Sequence, residues 1–501
     1  MAKEKTSQNI LDRAISFISP RAGFMRLAWR QGIRSYDAGR TDRMNSGWTP
    51  VNAPAESVNQ SQRDRLRARA RDLERNADIA ESIVLAYERN VVGLGIQVQA
   101  KPFRKDGTED EELAKKMEDI FYDWSASENC DITGEQCFEE MQNMCLRRLI
   151  VDGGILAVIS DNPYSKNALP FMLQLREVDE IDGNKFSYQL NNDGNRIING
   201  IELNKYNKPV AYWLKTISPD GLQIGDSKRV PAERVIYLRM KKRPSQIREV
   251  SQLASTADRI RDVNEYSEAV SIKERVLACL SVFIKKAIPG YGSVGRGSIP
   301  ANQKDSSSGY ETKTLAPGMI TELQPGDDVA SVNPSGQASN AKEFITSQIR
   351  LSGSGQGLSY ETVARDMSES NYSSARQGMI EDRKTYEFYQ EFLKRHFCRV
   401  VYREVITQAV LSNRLKIPDF FEDKERYLYH NWIAPGLEWI DPLKEVNANK
   451  IALESNQKTL AQICAERGLD WREVLQQRAK EQTMVTKLIG VKSNEEQEKE
   501  N

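Results

Sequence analysis

The stretch from residue 373 to residue 411 constrains the fold most strongly. It contains no proline and a single glycine, Gly378. Its apolar residues recur at spacings of three, four and seven: Ala375, Met379, Tyr386, Leu393, Phe397, Val400, Val401, Val405 and Ala409. Such spacings keep one apolar stripe on one side of an α-helix. About 39 residues at a rise of 1.5 Å predict a rod of roughly 58 Å, and so long a helix needs packing partners along its length.

A polar loop precedes this predicted rod. Its short side chains form local hydrogen bonds in proteins: Asp366, Ser368, Ser370 and Asn371. Ser373 or Ser374 is predicted to cap the first free backbone N–H groups of the helix. The pattern therefore predicts a polar loop that leads directly into a rod.

Three segments resemble one known family. Residues 357–384 read GLSYETVARDMSESNYSSARQGMIEDRK. They resemble a segment of the lambda-type portal proteins of tailed phages, where a Gly-hydrophobic-Ser-Tyr-Glu step, an acidic residue before Ser and Asn-Tyr-Ser-Ser-Ala-Arg follow in this order. Residues 67–100, RARARDLERNADIAESIVLAYERNVVGLGIQVQA, are similar to the N-terminal helix-to-strand step of that family. Residues of its Trp, Pro, Gly and Asp-Pro-x-Lys-Glu pattern also recur: Trp432, Pro435, Gly436, Trp439, Asp441, Pro442, Lys444 and Glu445.

The resemblance implies a helix-rich α+β portal fold with wing, stem, clip and crown regions that assembles as a ring. The regions expected in chain order are an N-terminal arm (1–56), the wing (57–245), a stem helix (246–288), the clip (289–337), a second stem helix (338–356), a tunnel loop (357–372), a long kinked helix (373–415), a return to the wing (416–436), a helical crown (437–490) and a disordered tail (491–501). The Gly- and Ser-rich stretch after Pro289 departs from the sequence of many relatives. The outer face of the clip is therefore the part to which the resemblance extends least.

The residues by themselves predict further elements. Helices are expected over 57–91, 109–124, 137–151, 246–286 and 341–352. Short β-rich runs are punctuated by turn residues and indicate an α+β region: ILAVIS, FMLQLREV, FSYQL, IINGIELN, PVAYWLK and RVIYLRM. A hairpin turn is expected at 191–194, two short strands at 319–323 and 329–332, and a strand-like edge before Pro435.

Composition narrows the class of protein. Lys plus Arg and Asp plus Glu number 71 each in 501 residues, so no overall positive field attracts nucleic acid. This argues against a tight DNA binder but not against a conduit along which DNA slides. The most apolar run, 276–284, is too short to cross a bilayer, and the first residues lack a secretory signal pattern, so assembly in the host cytoplasm is expected. The six cysteines show no Cys-x-x-Cys spacing and are predicted to be reduced and mostly buried.

An arginine-rich segment allows two interpretations. Arg63, Arg65, Arg67, Arg69 and Arg71 alternate along the predicted helix, and a period of two scatters side chains around a helix. The favoured interpretation is a solvated or interface face whose charge is offset by Asp64, Asp72 and Glu74. DNA contact is the alternative.

Sequence patterns typical of catalytic and cofactor-binding sites are incomplete in this chain. Residues 290–295, GYGSVG, match G-x-G-x-x-G, but they follow a predicted helix where a dinucleotide fold needs a strand. Arg296 and Gly297 stand where a phosphate-binding P-loop requires Lys and Ser or Thr. His396 and Cys398 are predicted to serve packing and not metal ligation. No catalytic, cofactor or metal residue is therefore proposed from the sequence.

Two functions remain open. The resemblance implies a dodecameric ring at the capsid vertex of the virion, a conduit for double-stranded DNA that docks the terminase large subunit and a head-tail adaptor, and that contacts major capsid and scaffold proteins but no membrane. The alternative is a component of a nucleic-acid-processing enzyme. In the first reading the loop approaches DNA, with candidate channel residues Arg365, Ser368, Ser370, Asn371 and Lys384. Arg365 and Lys384 would contact phosphate, with an ordinary surface role as the alternative for each.

Overall fold

A computed structural model of the chain describes residues 15, 17–22, 47, 49–161, 169–191, 193–218, 220–279, 341–368, 370–436 and 442–489. The chain divides into two compact units, residues 1–58 and 59–501. In the first unit, Ser19 N donates a helical hydrogen bond to Ile15 O at 2.9 Å, and Phe17 and Ile18 are exposed. In the second unit, α-helices dominate and three small antiparallel sheets accompany them.

The α-helices follow the apolar periodicity of the sequence. They are α1 (Ala55–Asn59), α2 (Arg63–Asn76), α3 (Asp78–Tyr87), α4 (Glu111–Ser125), α5 (Ser127–Cys130), α6 (Phe138–Val151), α7 (Ala257–Cys279), α8 (Ala341–Gln356), α9 (Tyr360–Ala364), α10 (Tyr372–Leu393), α11 (Arg399–Leu411), α12 (Lys424–Tyr427), α13 (Pro442–Glu454), α14 (Leu460–Glu466) and α15 (Trp471–Ile489). The helices predicted at 109–124, 137–151 and 341–352 are confirmed, and helical structure in the region expected as the crown is also found.

The strands form three separate sheets. They are β1 (Gln97–Ala100), β2 (Gly154–Ser160), β3 (Met172–Arg176), β4 (Arg196–Ile198), β5 (Ile201–Leu203), β6 (Pro209–Leu214), β7 (Lys228–Pro231), β8 (Val235–Arg239) and β9 (His430–Ile433). Strand β2 pairs with β3 and β8, and β4 to β7 form a meander. Strand β1 pairs antiparallel with β9, from Gln97 opposite Ile433 to Ala100 opposite His430. The strand-like edge before Pro435 is therefore confirmed.

The long predicted rod is the spine of the core. Helices α10 and α11 are joined without a break by a π-helical turn, Lys394–Cys398, which shifts the apolar stripe by one residue. Phe397 in this turn is fully buried and stacks on Phe138 of α6 at 5.4 Å between ring centroids. Truncating such a residue to Ala costs about 3–5 kcal/mol of stability. The rod ends at Leu411, and its packing partners are the helices of residues 63–151.

Two predicted helices are corrected by tertiary packing. The single helix expected over 57–91 is interrupted at Ala77. This residue is buried and extended, with φ and ψ of −124° and 112°. It continues after Tyr87 as a π-helical turn, Glu88–Val92. The helix expected from residue 246 begins at Ala257, after a 3₁₀ turn at Gln252–Ser255. Residues 246–251 instead supply buried polar side chains to the core.

Several β predictions also need correction. The run FSYQL forms no strand and contributes one isolated bridge between Ser187 and Ile197, although the turn at 191–194 is present. Strand β7 was not predicted, because its charged and proline-containing sequence lacks alternation. The predicted strands at 319–323 and 329–332, the segment GYGSVG at 290–295, the end of the first long helix beyond Cys279 and the tail at 491–501 lie outside the described residues.

Candidate functional site

The candidate site is the connection between helices α8 and α10, and glycine fixes its first turn. Gly357 directly follows α8 and has a φ of +73°. A Cβ atom at this position would lie 2.9 Å from Thr385 Oγ1, and the Thr385 hydroxyl donates to the Gly357 carbonyl at 2.8 Å. The positive φ and the close approach both require glycine. The chain therefore turns back onto α10 directly after α8.

A buried carboxylate holds the connection to the spine. Asp382 of α10 is 3% exposed and accepts three hydrogen bonds. They come from Ser359 N at 2.7 Å, Ser359 Oγ at 2.7 Å and Thr362 Oγ1 at 2.6 Å. Donors aimed at a buried carboxylate form strong, charge-assisted hydrogen bonds. The start of α9 is thereby fixed to the long helix.

Contacts with the N-terminal helices hold the same connection from the other side. Ser82 Oγ donates to the carbonyl of Val363 at 2.7 Å, and the phenol of Tyr87 donates to the carbonyl of Gln356 at 2.5 Å. Burial raises the pKa of Tyr87, so the phenol stays protonated and remains a donor. The Gln356 amide in turn donates to Thr256 Oγ1 at 2.9 Å at the start of α7. One connected set of hydrogen bonds thus holds the start of α7, the end of α8 and the segment that leads into the loop.

The described residues of the loop 365–371 are polar apart from Met367, and they are exposed or half-buried. Arg365 adopts the left-handed conformation with a φ of 54°, and its side chain is exposed and forms no ion pair with the described residues. Ser368 N donates to Asp366 Oδ1 at 2.9 Å, and this serine's hydrogen bonds lower the pKa of Asp366. Ser370 Oγ donates to Glu361 Oε1 of α9 at 2.6 Å. The polar loop expected before the rod is present, although residues 360–364 of the predicted tunnel loop are helical.

Asn371, not Ser373 or Ser374, caps the long helix. Its side chain accepts from Ser374 N at 2.8 Å, and Ser374 Oγ returns a contact to the Asn371 backbone. The pattern is a capping box that begins two residues earlier than predicted. The sequence does not single out Asn371, because several adjacent residues are equally able to cap a helix.

The structure brings four of the five candidate channel residues together. Arg365, Ser368, Ser370 and Asn371 share the loop. Lys384 is 13 residues beyond Asn371, about 20 Å along the helix axis at 1.5 Å per residue. It is exposed and pairs with Glu381 at 2.8 Å. Lys384 therefore belongs to the helix surface and not to the loop.

Beside the loop, helices α7 and α8 form a pair. The rings of Tyr266 and Phe344 contact each other with centroids 4.8 Å apart. Apolar side chains remain exposed on the two helices, with Ile272 at 49% and Leu351 at 47%. Arg261 lies within 4.0 Å of Asp258, Asp262 and Glu265 on the same helix, so charges of both signs alternate on this surface.

A buried ionic cluster, which sequence reasoning missed, lies where the chain approaches α7. Arg63 and Arg67 are 5% and 6% exposed, and Arg71 is half-buried. The favoured interpretation allowed a solvated or an interface face, and the solvated one is wrong for these three. Arg67 Nη1 lies 3.0 Å from Glu249 Oε1, and Arg71 Nε lies 2.7 Å from Asp152 Oδ1. Their spacing of four places them on one face of α2, and reading every fourth residue would have shown that face.

Side chains of the types that bind metals are dispersed in the part of the chain that the structure describes. No group of three or more His, Cys, Asp or Glu side chains there could hold a metal ion. The described cysteines are free and, apart from the half-buried Cys137, buried, as predicted. His396 is exposed and packs on Phe392 at 4.6 Å. None of the described helices combines the length and apolar character needed to cross a membrane.

Known proteins provide an independent comparison. Residues 41–390 match the sequence profile of the family described as "Phage portal protein, lambda family". A probable portal protein of Halomonas phage phiHAP-1 is 27% identical over 456 residues, which cover 89% of this chain and 85% of that protein. Portal protein B of Escherichia phage lambda is 26% identical over 183 residues, 36% of this chain and 34% of that protein. Among solved structures, a chain in the neck of a native GTA particle computed with C12 symmetry is 13% identical, with a TM-score of 0.37, over 85% of this chain and 96% of that one.

The family profile covers well over half of the chain, including α2, the α8–α10 connection and most of α10. The resemblance seen in the sequence is thereby confirmed. The near full-length match to a portal protein agrees with it. This chain belongs to the lambda family of phage portal proteins, which are structural proteins of the virion and not enzymes.

Proposed function

We propose that twelve copies of this chain close into a ring at the capsid vertex and guide double-stranded DNA through its centre during packaging and ejection. The ring docks the terminase large subunit during packaging and a head-tail adaptor afterwards, and it contacts major capsid and scaffold proteins. Membership of the portal family supports this proposal. The observation that carries it is the loop 365–371, which is exposed at its tip and anchored to the core at both ends.

The anchoring suits a loop that must touch moving DNA. Asp382 fixes one end through Ser359 and Thr362, and Asn371 begins the long helix at the other. A loop whose ends are held in this way keeps its tip in one place while its side chains move. Arg365 offers there a guanidinium that forms no ion pair with the described residues, enough for transient phosphate contact and too little for a tight grip.

The charge of the helix pair α7 and α8 suits sliding. Arg261 lies among three carboxylates, and the whole chain carries as many acidic as basic residues. A surface of mixed sign has no continuous row of cations to hold a polyanion. The exposed apolar side chains of the same helices, including Ile272 and Leu351, support contacts with neighbouring copies.

Electron microscopy of the purified full chain tests the assembly. We expect closed rings without added nucleotide. Light scattering that gives a monomer at micromolar concentration across a range of salt, with no rings in the images, would refute the proposal. ATP and DNA turnover assays on the same sample test the enzyme alternative, and we expect neither activity.

The role of the loop is tested by Arg365→Asn. Asparagine tolerates the left-handed conformation, so this variant removes the charge with little backbone strain. We expect normal rings but reduced DNA packaging or retention in particles. Lys384→Gln is the matched control, because Lys384 pairs with Glu381 away from the loop, and it should package normally. Reduced packaging by the control alone would place the DNA contact elsewhere.

A further inference from the structure

A cleft of about 640 Å³ lies away from the loop and is not used by the proposed conduit. The π-helical turn Lys394–Cys398 and α11 form one wall, and the β1–β9 sheet and helices α14 and α15 form the others. Aromatic side chains line part of it: Tyr429, Trp432 and Trp471. Tyr429 is 52% exposed, so part of its side chain is accessible to a ligand.

The charges around this cleft are unbalanced. Among the described residues that line it, five are cationic and two are carboxylates: Lys101, Lys394, Arg395, Arg399 and Arg403, with Glu391 and Glu425. The two carboxylates are already paired. Glu425 accepts from Arg403 at 2.9 Å, and Glu391 lies 3.1 Å from Arg395 and 3.4 Å from Lys394.

Two cations remain for a ligand. Arg399 is exposed and forms no ion pair with any residue that the structure describes. Lys101 lies on the opposite side, where its Nζ is 2.9 Å from the amide oxygen of Asn431 when that amide is turned to face it. An amide neutralises no charge. The chain as a whole is neutral, so this cleft is a local concentration of positive charge.

His430 at the floor of the cleft supports this description. Burial, together with the charges of Arg399 and Arg403, lowers the pKa of its imidazole, while Nδ1 lies 2.6 Å from the carbonyl oxygen of Leu428. The histidine is therefore neutral at pH 7. The positive charge of the cleft comes from lysine and arginine and persists at physiological pH.

We propose that this cleft binds the phosphate backbone of DNA, as a second contact separate from the loop 365–371. Guanidinium groups match the oxygens of phosphate, and aromatic faces beside them accommodate bases or sugars. An acidic peptide would satisfy the charges as well, but the accessible aromatic side chain of Tyr429 beside Arg399 and Arg403 favours a nucleic acid. The inference does not require that copies close into a ring.

Fluorescence anisotropy with labelled oligonucleotides tests the proposal. The probes are a duplex and a single strand of equal length, titrated with the full chain between 50 and 200 mM salt, on the order of the range where phosphate contacts dominate. We expect Lys101→Gln with Arg399→Gln to weaken binding several-fold. The slope of log affinity against log salt should fall by about 1.8 for the duplex or about 1.4 for the single strand, because each lost phosphate contact removes about 0.9 or 0.7.

The matched control is Lys205→Gln with Lys208→Gln, which removes the same charge from exposed positions in the turn between β5 and β6. It should leave affinity and slope unchanged. The charge-retaining variant Lys101→Arg with Arg399→Lys should bind as the original chain does, which separates lost charge from lost folding. Equal DNA binding by all these proteins would overturn the proposal. So would a result in which polyglutamate binding, but not DNA binding, depends on Lys101 and Arg399.

Failure of this proposal is distinguishable from failure of the conduit proposal. Ring formation is read from images, whereas cleft binding is read from the difference between two variants of equal charge. If rings form but the Lys101 and Arg399 variant binds DNA as the control does, only the second DNA contact is refuted. If that variant loses DNA affinity but the chain forms no rings, only the conduit is refuted.

Discussion

Replacing Glu249 with Gln tests whether the buried ionic cluster determines the stability of the region where the chain enters α7. Glu249 is fully buried and accepts from Arg67 Nη1 at 3.0 Å and from Arg248 Nη2 at 2.9 Å. The hydroxyl of Tyr237 also donates to it. Glutamine keeps the size of the side chain but removes the charge, so Arg67 and Arg248 lose their shared counter-ion. Arg67 still pairs with Asp64 and Asp179, so the loss falls mainly on Arg248.

The expected loss of stability on Glu249→Gln can be obtained in two ways. Removing one partner of a buried ion pair costs about 3–5 kcal/mol, because the remaining charge stays desolvated. Burial by itself would raise the pKa of Glu249, but the positive charges of Arg248 and Arg63 outweigh burial and hold that pKa at about 2. Against an unfolded value of about 4.3, this difference corresponds to about 3 kcal/mol at pH 7. We therefore expect a loss of about 3 kcal/mol or more.

Urea unfolding at pH 7 measures the loss, with Glu268→Gln as the control. Glu268 lies exposed on α7, so its replacement should change stability by about 0.5 kcal/mol or less. The pH dependence provides a second readout. Because folding depresses the pKa of Glu249, its contribution is complete above about pH 4.3 and is lost as the pH falls towards 2. Glu249→Gln should lack this component of acid destabilisation.

Two results would refute the reasoning about Glu249. One is a Glu249→Gln variant within about 1 kcal/mol of the original chain, which would mean that water or rearrangement compensates the arginines. The other is an unchanged difference in stability between the two proteins from pH 7 to pH 2, which would mean that Glu249 is not the titrating group.

Three further predictions concern local geometry. Asp382→Ala removes the acceptor of three hydrogen bonds, so hydrogen exchange at residues 358–364 should become faster and stability should fall by about 1–3 kcal/mol; unchanged exchange would contradict the anchoring. Gly153→Ala should destabilise far more than Gly107→Ala in urea unfolding, because a Cβ at Gly153 would lie 2.3 Å from the Val250 backbone whereas Gly107, also at positive φ, faces open space; equal losses would mean that φ alone matters. Asn371→Ala should cost about 1 kcal/mol in the same assay and Asn371→Ser much less, since serine can cap the helix; equal losses for both would argue against the cap.

Local patterns in the sequence were sufficient for the main elements. The periodicity of 373–411 predicted the spine because a 3.6-residue repeat survives whatever the helix packs against. Polar residues before it predicted the loop, since Asp, Ser and Asn form their own local hydrogen bonds. Family membership also followed from short ordered motifs in the sequence.

Contacts distant in sequence decided the rest. The sequence around Glu249 does not indicate that residues 246–251 lie outside the helix. Nor does it indicate that Glu249 contacts Arg67, which is 182 positions earlier in the chain. Ala77 is extended and buried, and it interrupts a helix that its own neighbours favour. The cationic cleft likewise combines Lys101 with Arg399. The sequence by itself determined where most of the helices lie and to which family the chain belongs. Only the tertiary structure decided which charges are buried and which remain open to a ligand, because burial depends on residues that the chain brings together from far apart.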